Sequence, residues 1–139
     1  MSTRHGGISA ELVIQLVEPN ELSVPMAATL RYEPDDPFAI TAEFHTDHAT
    51  VTWRFARELL REGAEAPAGQ GDVQIWPERL GAGPVSLKVT TQGGQALFTL
   101  PRRGVQAFLA RTYAAVPAGT ESQHFDAEAL LAALTGDAA

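Results

Sequence analysis

The chain has 139 residues, no cysteine and a formal net charge of −7 at pH 7. That length is one domain's worth, and the missing thiols exclude disulfides, thiolate zinc sites, iron–sulfur clusters and cysteine nucleophiles. The acidic balance, with nine arginines and one lysine scattered along the chain, gives no long-range attraction for a phosphate backbone.

From the N-terminus, MSTRHGGIS carries charge with no apolar stretch behind it, and no run of about eighteen apolar residues follows anywhere. A protein that stays in the cytoplasm, without membrane insertion, is expected. SAELVIQLVE then sets Leu12, Ile14 and Leu16 against Val13 and Val17, a strand expected to be covered on both faces. PMAATLRY alternates Ala28, Leu30 and Tyr32 against Thr29 and Arg31. FAITAEFHT alternates Phe38, Ile40, Ala42 and Phe44 against Thr41, Glu43 and His45. EPDDP between them is turn chemistry: Pro34 and Pro37 fix φ, and Asp35 and Asp36 are placed to fold their carboxylates onto backbone N–H groups.

VTWRF turns Val51, Trp53 and Phe55 inward and runs into ARELLREG, a short helix with Gly63 as its stop. AEAPAGQG is a connector of small residues. DVQIWP, VSLKVT and ALFTL read as three further strands, the last two joined across TQGGQ. PRRGVQAFLARTYAAV starts at a proline and spaces Val105, Phe108, Leu109, Thr112, Tyr113 and Val116 by three and four, an amphipathic helix of about four turns. In the tail, Asp126 is placed to cap a last short helix bearing Leu130, Leu131 and Leu134.

The pattern is strands then helix, twice, with PAG after each helix. It predicts one α+β domain over residues 1–139, with halves at about 9–65 and 70–116 and a helical tail at 117–139. Two antiparallel sheets backed by helices are expected, the second helix about five residues longer than the first.

The blocks LRYEPDDPFAITAEFHT, VTWRFARELLREG, GDVQIWP and FLARTYAAVPAGTESQHFD, in order and spelling, closely resemble the SsgA-like family of actinobacterial sporulation and cell-division regulators. The likeness runs from about Leu12 to Leu134; the N-terminal STRHGG and the DHA turn at Asp47 to Ala49 depart from the SsgB-like pattern within that family. The resemblance implies a Whirly-like fold, a homotrimer and a non-enzymatic role in positioning septation machinery at division septa. SsgB-like members help place FtsZ, the tubulin-like division GTPase.

Residue by residue, the acidic stretch Arg31 to His48 is the first place to look for chemistry. Glu43 and His45 share a strand's outer face at a spacing of about 7 Å, too far for a direct acid–base pair. His45, Asp47 and His48 meet at a strand end without a fourth ligand, so no metal site is expected. GQGD at Gly69 to Asp72 lacks the lysine and following helix of a phosphate loop. Ser86 has no nucleophile-elbow context, so no catalytic or cofactor site is assigned. Arg102 and Arg103 at a helix start are expected to be solvated. Trp53 belongs to the core face. Trp76, sent outward with Gln74 when Val73 and Ile75 turn in, is either covered by the tail or lies in a subunit or partner interface. The alternative to a division adaptor is a single-stranded nucleic-acid binder, disfavoured because Arg31, Arg54 and Lys88 are mixed with Glu33, Glu43 and Gln74 on outward positions.

Overall fold

Alternating apolar and polar residues produce seven strands, and the run-on from the fourth and seventh strands produces the helices. In the computed structural model, which describes residues 7–20 and 22–124, the order is β1 (Ile8–Val17), β2 (Ser23–Tyr32), β3 (Ala39–His45), β4 (Thr50–Ala56) and α1 (Arg57–Gly63). There follow β5 (Val73–Arg79), β6 (Ala82–Thr91), β7 (Gly94–Leu100), α2 (Arg102–Ala115) and a single turn, α3 (Glu121–His124). The expected tail helix with Asp126, Leu130, Leu131 and Leu134 lies outside the described residues.

The expectation of two sheets is corrected: the strands form one antiparallel sheet in the order β4-β3-β2-β1-β7-β6-β5. The joint is β1, which pairs with β2 over all ten residues and offers Gln15, Leu16 and Val17 on its other edge to Thr99, Phe98 and Leu97 of β7. No local pattern marks this pairing, because its two strands are far apart in sequence.

The sheet is curled into a trough. Phe44 on β3 and Phe98 on β7 are three strand spacings apart, roughly 14 Å on a flat sheet, yet their rings stack at 4.4 Å. The concave side carries Ile14, Ala28, Leu30, Ile40, Ala42, Ile75, Val85 and Leu87, all buried. Into one end of the trough α2 packs Val105, Phe108 and Leu109. Gly104 permits that seating, since a Cβ there would stand 2.6 Å from Leu12 Cδ2.

Four local expectations change. Val13 is 67% exposed, so β1 is covered on one face only. Phe38 is exposed and precedes β3, because the EPDDP turn extends past Pro37. Gly63 is the last residue of α1 and the cap, Ala64, stays right-handed at φ −72. The glycine is required by proximity instead: a Cβ would lie 2.4 Å from Ile75 Cβ. The second helix has 14 residues against 7 in the first, a larger difference than the spacing of the two PAG triplets predicted.

Candidate functional site

The acidic stretch resolves into separate pairings. Asp36 accepts from Arg54 of β4, rather than folding back on its own turn, and Glu43 pairs with Arg31 at 3.1 Å across the β2–β3 ladder. The turn itself is closed by Asp36 N–H donating to Glu33 O at 2.8 Å. Both ring nitrogens of His45 are occupied, Nε2 with Thr29 Oγ1 at 2.9 Å and Nδ1 with Thr50 Oγ1 at 3.2 Å. In the following turn the Thr46 hydroxyl accepts from the N–H groups of His48 and Ala49, leaving Asp47 and His48 exposed. Among the described residues no three His, Cys, Asp or Glu side chains gather closely enough to hold a metal ion.

The chemistry concentrates instead on a residue whose role the sequence pattern did not reveal. Arg57 is 1% exposed at the junction of β4 and α1. Its guanidinium donates to the carbonyls of Thr112 and Val116 at 3.0 and 2.9 Å, and to Glu121 Oε2 at 2.8 Å. The guanidinium carbon lies 3.8 Å from the Tyr113 ring centroid and 4.9 Å from that of Tyr32. Thr112 lies in the last turn of α2, where its carbonyl also accepts from Val116 N–H at 2.9 Å, and Val116 caps the helix; this negative end of the helix dipole favours a cation. Inward parity was the available signal, since position 57 continues the series Val51, Trp53, Phe55.

Around this cation the titrations shift. Burial pushes the Tyr32 hydroxyl up to about 12, partly opposed by the charge of Arg57. The hydroxyl donates to Pro37 O at 2.9 Å. Glu121 is held below the usual carboxylate value, first by its own backbone N–H, then by Arg57 and by the N–H of Gly119. Arg57 is therefore a clamp tying β4, α1 and the end of α2 together, with its donors committed to internal partners.

Arg102 is likewise not the solvated residue expected. Its Nε donates to Gly83 O at 2.7 Å and its side chain is only 14% exposed, whereas Arg103 is exposed.

Two surfaces among the described residues carry a half-buried tryptophan. The far end of the trough, opposite α2, is an apolar groove of about 390 Å³ lined by Leu16, Met26, Phe44, Val51, Trp53 and Phe98. Trp53, expected in the core, is half-buried at this groove. On the outer face, Trp76 is half-buried and opposite Ser86, while its neighbours Ile75 and Pro77 are buried.

Among the described residues no helix is long and apolar enough to cross a membrane. A family model described as "Streptomyces sporulation and cell division protein, SsgA" matches residues 26–121. The sporulation-specific cell division protein SsgB of Frankia casuarinae is 51% identical over 136 residues, covering 96% of this chain and 95% of that protein. A solved structure of SsgB from Streptomyces coelicolor, a protein whose mutations correlate to longitudinal cell division during sporulation, matches with TM-score 0.82 at 46% identity, covering 90% of this chain and 100% of that one. The SsgA-like sporulation-specific cell division protein of Thermobifida fusca also gives 0.82, at 42% identity over 95% of this chain and 98% of that one. With its fold and nearly its whole length shared with these proteins, the chain belongs to the SsgA family of sporulation and cell division proteins.

Proposed function

We propose that the protein acts without catalysis, as a cytoplasmic homotrimeric adaptor that holds division-apparatus proteins at future septa, FtsZ being the first candidate. The observation that supports this reading is end-to-end kinship with sporulation-specific cell division proteins, at 51% identity over 136 residues for one of them. The side-chain chemistry agrees with it, since Asp36, Glu43, His45 and Arg57 are spent on internal pairings. Trp76 on the outer face is the residue assigned to the subunit or partner interface, where aromatic side chains carry much of the binding energy.

A Whirly-like fold would invite the other reading, single-stranded nucleic-acid binding, which needs a basic groove with stacking aromatics. Two arginines on the outer face, Arg31 and Arg54, are already paired with carboxylates, and the groove that holds aromatics is apolar. Binding to an oligonucleotide is expected to be feeble.

The test is a fluorescent fusion expressed from the native locus during sporulation, beside a deletion strain. Bands at future septa that precede constriction, with septa misplaced in the deletion, are expected. A diffuse signal with normal septation would overturn the reading.

A further inference from the structure

We infer that the free edge of β4 is a docking edge for an extended segment of a partner protein, which adds as an eighth strand with apolar side chains at alternate positions. The inference goes beyond the adaptor reading and holds whichever division protein supplies the strand.

The register of the β3–β4 pair fixes which backbone groups are free. Thr46 N–H donates to Ala49 O at 2.9 Å, and Arg57 N–H to Phe38 O at 2.8 Å. Those two pairs bracket the ladder in which Phe44 faces Val51, Ala42 faces Trp53 and Ile40 faces Phe55. Hydrogen-bonded pairs alternate along an antiparallel ladder. Val51, Trp53 and Phe55 therefore spend their N–H and C=O groups on β3, while those of Thr50, Thr52 and Arg54, and the N–H of Ala56, point off the sheet; the Ala56 carbonyl, at the N-cap of α1, serves the helix. All four residues are exposed, and among the described residues β4 has no neighbour on that side.

The opposite edge of the sheet is closed by ordinary means, and this contrast makes the β4 edge informative. On β5, Ile75 exchanges both backbone bonds with Ala68, at 2.8 and 3.0 Å. Pro77 has no N–H to offer, and the ladder is irregular between Pro77 and Arg79. Strand β4 has neither proline nor bulge, and among the described residues no segment covers its outer edge; its one charged side chain, Arg54, is drawn back to Asp36 on the β2–β3 turn.

The chemistry of the occupant follows from the two sides of this edge. Another extended backbone satisfies the three alternating donor–acceptor pairs of Thr50, Thr52 and Arg54 and the Ala56 N–H together. Its residues that fall on the concave side would lie beside Val51 and Trp53 over the apolar groove, and those on the other side beside Thr50, Thr52 and Arg54. An apolar-polar alternation is thus selected. The protein's own residues 125–139 are rich in Ala and Leu and hold no Val, Ile, Tyr or Trp, a composition suited to helix and poor for a strand, so the occupant is assigned to a partner.

The test uses the full chain and a panel of soluble octapeptides with Val, Leu or Phe at alternate positions and Ser or Glu between. Amide hydrogen exchange is followed for wild type, Thr52→Pro and Thr52→Val. The proline removes one outward donor and no bond to β3, and valine retains the donor. Expected is slowed exchange at Thr50, Thr52, Arg54 and Ala56 on adding at least one peptide, affinity at least tenfold weaker for Thr52→Pro, and little change for Thr52→Val. Should Thr52→Pro fail to fold, methylating alternate amide nitrogens of the binding peptide must abolish protection in the wild type. The inference is overturned if no peptide binds, if protection falls elsewhere, or if these four amides are already protected without peptide, whether by the protein's own tail or, at rising concentration, by a second copy.

Discussion

Arg57 ties the β4–α1 junction to the end of α2 through three hydrogen bonds, and its surroundings set how stability answers to mutation and pH. Removing the guanidinium takes a buried donor from the Val116 carbonyl, from Thr112 O, which keeps the Val116 N–H, and from the Glu121 carboxylate, which keeps the Gly119 N–H. Arg57→Ala is expected to cost about 3–5 kcal/mol in urea unfolding, the range for breaking a buried ionic contact. Arg57→Lys keeps the charge but loses the fork, so it should recover only part of that. Glu121 has a depressed folded pKa, so its contribution is fully present above the unfolded carboxylate value and is lost as pH falls through the lower folded value. In Glu121→Gln that acid loss should shrink, read from unfolding midpoints between neutral pH and pH 3. Tyr32 runs the other way: its raised pKa favours the neutral phenol in the fold, giving stability that is present below about 10 and lost as pH rises toward about 12. Tyr32→Phe should flatten that alkaline fall while losing the bond to Pro37. Trp53 is half-buried at the groove, so Trp53→Ala should cost about 2 kcal/mol, below the roughly 3–5 kcal/mol of an enclosed tryptophan.

At the scale of elements, glycines decide how closely helix and sheet approach. Alanine at Gly63 would press into the Ile75 Cβ, Cγ2 and backbone oxygen, and Gly63→Ala is expected to lose about 1–3 kcal/mol by thermal or urea unfolding. A cost near zero would show that α1 and β5 are free to separate. Strand alternation was legible because one face of each strand meets a packed interior: Ile40, Ala42 and Phe44 are buried as the sequence pattern requires. The long helix was legible for the same reason, through Val105, Phe108, Leu109 and Thr112. What local pattern did not carry was the meeting of elements distant in sequence. The β1–β7 pairing merges two expected sheets into one, and the curl brings Phe44 onto Phe98. It also leaves Val13 facing outward, because the helices fill only the concave side. Arg57 carried no sequence signal other than its parity with Val51, Trp53 and Phe55. The candidate interface was legible only as far as Trp76 facing away from Ile75; the apolar groove depends on the curl.

For the whole molecule, the central claim is that repeated weak contacts hold the division machinery in place. A trimer presents one patch three times, and against a polymer such repetition raises avidity about 10²–10⁴-fold over a single contact when the geometry allows simultaneous engagement. Affinity for an isolated FtsZ subunit is accordingly expected to be micromolar or poorer, with filaments captured far better and no GTP turned over by the adaptor. Assembly comes first in that argument. Light scattering coupled to size exclusion should report a trimer, and a persistent 14.8 kDa species would remove the basis for avidity. Trp76→Ala should remain folded, since its side chain lies on the outer face and is not packed against the core cluster, while losing association or partner binding. The most direct measurement is co-sedimentation with assembled FtsZ from the same organism, comparing wild type with Trp76→Ala and with binding to unassembled FtsZ. Wild type should pellet with filaments while binding single subunits weakly, and the variant should lose filament capture more than subunit binding. Wild-type protein remaining in the supernatant with intact filaments would contradict direct recruitment of FtsZ.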